Sequence, residues 1–302
     1  MICIYHSKDL DGYSSGAIVK KKYPEAKLIG YDYGQPFPWE EFKKGDKVIM
    51  IDVSLSMPDM FLLGATVGEG NFTWIDHHKS AIEDFNKYIE EIRINSKPYP
   101  DITFDMFLSF VTPVLEIGIA ACEIGWKYLF PDEKIPTAIE LLGKYDTWRN
   151  GDKKEWENVI LPFQYGMRLI CNTADSFPKE LLTFNGVNYV VDILHNGQTT
   201  LAYQKQMNEA ACKKAFEAKF KDLRAICLNI GGANSTVFDS VWDEEKYDVM
   251  IPFQFDGEVW KFSLYTTKEI DLSVYAKSFG GGGHAKACGF QAINLHSVLT
   301  QK

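Results

Sequence analysis

Residues 72–78 read F-T-W-I-D-H-H, a short apolar run that delivers an aspartate and two histidines at its C-terminal end. The same arrangement occurs twice upstream. M-I-C-I-Y at 1–5 runs into His6, and V-I-M-I at 48–51 runs into Asp52. Continuous apolar runs of this length predict strands buried on both faces. Lys27 to Gly30 reads as a further strand, and helical patterns at 13–22, 58–63 and 80–92 separate the runs. Strands alternating with helices imply a parallel sheet with helices on both faces. His6, Asp52 and Asp76 then collect beyond the C-terminal ends of the strands, the edge where open α/β sheets bind ligands.

Downstream, residues 107–130 read as a buried helix with its approach, and 114–146 as two helices separated by Pro131 and Pro136. Residues 147–185 are hard to assign. A long helical pattern from about 202 to 223 is expected to connect two domains. Strands at 225–228, 248–255 and 259–266, a helix near 235–241 and a final helix at 272–279 follow. Asp256-Gly257 predicts a hairpin between the last two strands.

The 302 residues allow two domains, and 46% hydrophobic with 24% charged residues is ordinary for a globular protein. A net charge of -9 argues against a protein that coats long nucleic acid through a broad basic face. It leaves room for a small anionic substrate, because bound divalent cations reverse the local sign. Six scattered cysteines without a C-x-x-C pair argue against a zinc ribbon and fit a cytoplasmic protein with reduced thiols. The N-terminus is too short and polar for a signal peptide, and Glu116, Glu123 and Lys127 interrupt the most apolar stretch, so no membrane span is expected.

Three clusters carry the chemistry: His6, Asp9 and Asp11; Asp52; and Asp76-His77-His78. Asp146 in K-Y-D-T-W is a fourth element. Each has an ordinary structural alternative, since an aspartate after a strand often caps a helix or closes a turn. Their recurrence at successive strand ends weighs against that reading. Carboxylates and imidazoles gathered in one crevice repel and desolvate one another unless a cation neutralises them. Mixed imidazole and carboxylate ligands suit manganese, iron or zinc, and four carboxylates suffice for two metals with one aspartate bridging.

The D-H-H at 76–78, with H-x-x-D-x-D-G at 6–12, Asp52 and Asp146, resembles the DHH phosphoesterase family. G-G-G-G-H-A-K-A-C-G-F at 280–290 resembles the GGGGH signature of the DHH-associated C-terminal domain, so the likeness runs from Met1 to about Phe290. The D-L-D-G form at 9–12 resembles the branch of small oligoribonucleases of the nanoRNase type. It places one residue fewer between His6 and Asp9 than several other branches do.

The resemblance implies an α/β fold with a parallel-sheet DHH catalytic domain at 1–185, a helical connector at 186–224 and a smaller α/β substrate-binding domain at 225–302. It implies two Mn2+ per chain, with Mg2+ or Co2+ as substitutes. His6 and Asp9 would hold one metal, Asp11, His77 and Asp146 the other, and Asp52 would bridge them. Asp76 would orient the site and His78 would touch the scissile phosphate. The glycine loop, with Gly281, Gly282, Gly283 and His284, would bind substrate. Tyr265 stands where many relatives have an arginine, and it could stack on a base instead. The implied activity is a phosphodiesterase or exonuclease on short single-stranded RNA or DNA, in a cytoplasmic protein and a candidate homodimer. The alternatives are a phosphatase of 3'-phosphorylated nucleotides (pAp-type) and a cyclic dinucleotide phosphodiesterase.

Overall fold

Apolar residues at every position of a strand demand cover on both sides, and the first half of the chain supplies it. In the computed structural model, which describes residues 1–94, 102–183 and 186–300, five parallel strands form one sheet. They are β1 (Ile2–His6), β2 (Lys27–Tyr31), β3 (Val48–Ile51), β4 (Phe72–Asp76) and β5 (Thr112–Leu115), in the order β2-β1-β3-β4-β5. Successive side chains of one strand serve opposite faces. Cys3, Tyr5, Ile49, Ile51 and Ile75 pack against helices α1 (Leu10–Lys22), α5 (Ala121–Leu129) and α6 (Thr137–Asp146). Ile2, Ile4, Val48, Met50, Phe72 and Trp74 pack against α2 (Met57–Val67), α3 (Lys79–Arg93) and α4 (Phe104–Phe110).

Strand order reverses between β1 and β3, which creates the crevice typical of doubly wound sheets at the ends of those two strands. Gly12 lets α1 close down on β1, because a Cβ there would lie 1.8 Å from the His6 carbonyl oxygen. Beyond α6, α7 (Lys153–Glu155) runs through a π-helical turn, Trp156–Ile160, into α8 (Leu161–Ile170).

Two compact units result, Met1–Leu201 and Ala202–Lys302. The second is built on a six-stranded mixed sheet, order β10-β11-β9-β8-β7-β6, from β6 (Phe216–Phe220), β7 (Leu223–Asn229), β8 (Val249–Phe255), β9 (Trp260–Tyr265), β10 (Gly282–Gly283) and β11 (Ala287–Ala292). Helix α10 (Leu272–Lys277) covers one face through Leu272 and Ala276. Val237, Phe238 and Tyr247 cover the other. Asp256 Oδ1 accepts the Glu258 and Val259 N–H groups in the β8–β9 turn, where Gly257 has φ 108, so the predicted hairpin forms.

Three sequence readings change. Residues 107–130 are not one helix with its approach. α4 ends at Phe110 and Thr112–Leu115 forms the fifth strand, a four-residue edge strand whose Pro113 is tolerated at an edge. The expected helix at 202–223 lies earlier, as α9 (Val187–Cys212). F-E-A-K-F at 216–220 alternates with period two and pairs antiparallel with β7. The expected connector at 186–224 therefore divides among α9, β6 and the start of β7, and its N-terminal boundary at 185 lies outside the described residues. The helix near 235–241 is a short 3-10 turn, Ser235–Phe238.

Candidate metal centre

Parallel pairing brings the chemical strand ends together. His6 ends β1, Asp52 follows β3 and Asp76 ends β4, and these are neighbouring strands. Asp52 is left-handed, at φ 63, a region that aspartate enters more readily than most residues. Its N–H donates to the Ile75 carbonyl at 3.0 Å, which ties the residue after β3 to β4.

Asp52 stands between two groups of ligand atoms. Its Oδ2 lies 3.5 Å from His6 Nδ1, and its Oδ1 lies 3.2 Å from His77 Nε2. On the first side Asp9 Oδ2 is 3.2 Å from His6 Nδ1. On the second, His77 Nε2 is 3.4 Å from Asp146 Oδ2 and 3.5 Å from Asp11 Oδ2. Within each of the sets His6, Asp9, Asp52 and Asp11, His77, Asp146, ligand atoms lie within 4.8 Å of one another. His6, Asp9, Asp11, Asp52, Asp76, His77, His78 and Asp146 all lie in the first unit.

Two aspartates also fill the ordinary structural role. Asp9 is the N-cap of α1, with Oδ1 accepting the Gly12 N–H at 3.0 Å while Oδ2 faces His6. Asp11 accepts the Ala121 and Cys122 N–H groups, at 2.9 and 2.8 Å, where α5 begins. Each carboxylate oxygen has two lone pairs, so capping leaves ligand capacity. Asp76 is fully buried. Its Oδ1 accepts the N–H groups of His77 and His78 and lies 2.7 Å from His78 Nδ1, and its Oδ2 accepts the Trp74 indole N–H. That network fixes the His78 ring.

The donor atoms fit divalent cations. His6 Nδ1, both oxygens of Asp52 and Asp146 Oδ2 are buried and make no hydrogen bond among the described residues. Buried polar atoms are ordinarily satisfied, and here they converge. The protonation pattern agrees. Burial pushes the Asp11 carboxyl up, and the charges of Asp52 and Asp146 push it further. Burial also lifts Asp146 to about 6, with His77 opposing and Asp9 and Asp52 adding to the rise. Burial opposes ionisation of Asp52, yet the imidazoles of His6 and His77 hold its carboxyl well below the usual range. Burial works against the charged forms of His6 and His77, but surrounding carboxylates raise both. Burial of the Asp11 and Asp146 carboxyls and crowded negative charge drive the upward shifts, and bound cations would relieve both.

The sequence reading passed over residues that shape the site. Asp32 directly follows β2 and places Oδ1 3.4 Å from His6 Nε2. Tyr33 lies against His6, ring centroids 5.8 Å apart, and its hydroxyl accepts the Ser54 N–H at 3.1 Å. Y-D-Y at 31–33 carried a usable signal, an aspartate two residues beyond a predicted strand. Glu123, buried in α5, accepts the Ala120 N–H and pairs with Arg149, which bonds Thr147 Oγ1 next to Asp146. Arg149 is thereby committed to an ion pair.

The remaining candidates lie in the second unit. The glycine run is neither a linker nor a free loop. Gly282 and Gly283 pair antiparallel with Gly289 and Cys288. A Cβ on Gly281 would meet the Gly289 carbonyl oxygen at 2.1 Å, and Gly283 has φ 127. His284 donates its N–H to the Ala287 carbonyl in the following turn. Tyr265 ends β9 half-buried against the cluster of Ile226, Leu228 and Met250.

No protein-family model matches the chain. The solved structure of the DHH domain of PF0399, a member of the s1p family of ribosomal proteins, superposes with a TM-score of 0.55 at 14% identity, over 95% of this chain and 81% of that one. The chain has a DHH fold. The pGpG-specific phosphodiesterase PggH of Vibrio cholerae is 12% identical over 98% of this chain and 94% of its own, with a TM-score of 0.48. In sequence, the DHH-fold chain is 26% identical to the uncharacterized protein R106 of Acanthamoeba polyphaga mimivirus, over 99% of its length and 69% of that protein.

Proposed function

We infer that this chain is a metal-dependent phosphoesterase of the DHH family that hydrolyses phosphodiester bonds in short oligonucleotides or small nucleotides. The observation that carries this reading is Asp52, whose two buried oxygens face separate ligand groups without hydrogen bonds of their own. The DHH fold and the motif set at 6–12, 52, 76–78, 146 and 280–290 support it.

His6 and Asp9 would hold one Mn2+, Asp11, His77 and Asp146 a second, and Asp52 both. Two such cations would activate a water, polarise the phosphoryl group and stabilise the leaving oxygen. Asp76 holds His78 through Nδ1, which presents the opposite ring nitrogen to a phosphate oxygen of the substrate. The glycine turn and His284 would contact substrate, since backbone N–H groups and imidazole both donate to phosphate.

A net charge of -9 disfavours grip on long strands. Oligonucleotides of about two to five residues should therefore be cleaved much faster than 20-mers, with weak salt dependence because few counterions are released. The test is kcat/KM with Mn2+ for single-stranded RNA and DNA of graded length, a cyclic dinucleotide and a 3'-phosphorylated nucleotide, at two ionic strengths. Equal rates for dimers and 20-mers would sink the short-substrate reading, and release of phosphate from only the 3'-phosphorylated nucleotide would replace it with a phosphatase.

A further inference from the structure

His6 has carboxylates on both sides of its ring. Nδ1 faces Asp9 and Asp52 at 3.2 and 3.5 Å, and Nε2 faces Asp32 at 3.4 Å. A neutral imidazole has one proton and one lone pair, so only one side can present the ligand atom. Left to Asp9 and Asp52 alone, the proton would favour Nδ1 and block that atom as a ligand. An acceptor at Nε2 reverses the preference.

The position of Asp32 is set by the sheet. Tyr31 is the register partner of His6, and the Ser7 N–H donates to the Tyr31 carbonyl at 2.9 Å, so the next residue emerges beside the imidazole. Tyr33 then ties the turn after β2 to the turn after β3 through Ser54. Lys8 also faces Asp32, at 3.8 Å, but its side chain is 71% exposed and so a weak competitor.

We propose that Asp32 is a positioning residue that accepts a hydrogen bond from the Nε2–H of His6 and thereby aims the Nδ1 lone pair at the cation position shared with Asp9 and Asp52. The inference rests on the two-cation reading above. Carboxylates behind metal-binding histidines fix the tautomer and raise ligand basicity, and their loss costs about 10–100-fold in metal affinity.

The test uses the full chain and Mn2+ itself, with free Mn2+ counted by electron paramagnetic resonance during titration of wild type, Asp32→Ala and Asp32→Asn. Asp32→Ala should weaken one of two sites by about 10–100-fold and spare the other. Asp32→Asn keeps an acceptor of the same shape and should lose less. Histidine 15N spectra of the Zn2+-loaded protein, assigned with His6→Ala, should show the His6 proton on Nε2, slowly exchanging in wild type. That slow exchange should be lost in Asp32→Asn, a change that a purely structural role for Asp32 would not produce.

Wild-type affinity at both sites in Asp32→Ala overturns the inference while leaving the two-cation reading intact. A wild type that binds no Mn2+ overturns both. Should Asp32→Ala fail to fold, the wild-type spectrum decides, and a proton on Nδ1 overturns the proposal.

Discussion

Asp52 shows how one residue joins backbone and chemistry. Its left-handed backbone and its two-sided carboxylate are parts of one arrangement, because the φ of 63 is what turns the side chain between His6 and His77. Asparagine enters that region nearly as readily as aspartate, whereas alanine pays about 1–2 kcal/mol. Asp52→Asn should therefore melt higher than Asp52→Ala in the absence of metal. Both variants should lose at least about a hundredfold in turnover, more than the loss of an outer ligand partner costs. Thermal melts and Mn2+-dependent kcat of the pair check this. An active Asp52→Asn protein would remove Asp52 from the bridging position.

At the scale of elements, the site depends on how tightly α1 sits on β1. Asp9 caps α1 and Asp11 binds the start of α5, so both carboxylates reach the crevice through helix termini. Gly12 is a point of close approach between α1 and β1, with 1.8 Å between a hypothetical Cβ and the His6 carbonyl oxygen. Gly12→Ala must push the helix away or distort the strand end, an overpacking cost of about 3 kcal/mol. Denaturant titration should show that loss, and Mn2+ binding should weaken with it because His6, Asp9 and Asp11 all shift. A variant with unchanged midpoint and affinity would mean that the site does not depend on this approach of α1 to β1.

For the whole molecule, protons and cations compete for one cluster. Burial raises Asp146 to about 6, above its unfolded value, so the folded state binds more protons than the unfolded chain between about 4 and 6. The metal-free protein therefore loses stability from this group as pH rises through that window. The raised imidazoles of His6 and His77 add protons that a metal must displace. The Mn2+-induced rise in Tm should thus be small at pH 5 and grow toward pH 7.5. Calorimetry in two buffers of different ionisation enthalpy should register proton release on binding. A Mn2+ effect independent of pH would be inconsistent with these residues as ligands. Among the described residues no helix is long and apolar enough to cross a membrane.

Strand ends and their chemistry were local features, and they could be read directly. A four- or five-residue apolar run followed by His6, Asp52 or Asp76 predicts its own strand, and the buried faces of β1, β3 and β4 follow from the absence of alternation. Tertiary structure decided what depended on register and packing. β5 was hidden because an edge strand of four residues with a proline has no period to detect, and only its pairing with β4 defines it. α9 was misplaced because helical spacing at 202–211 ran on into F-E-A-K-F, whose strand identity depends on β7. The glycines at 281 and 283 looked like a ligand loop, while the nearness of Gly289 and Cys288 gives them a packing reason as well. Asp32 is separated from His6 by 25 intervening residues in the chain, and hydrogen-bond register alone sets it beside the imidazole, since a parallel strand's neighbours are chosen by crossover and not by sequence distance.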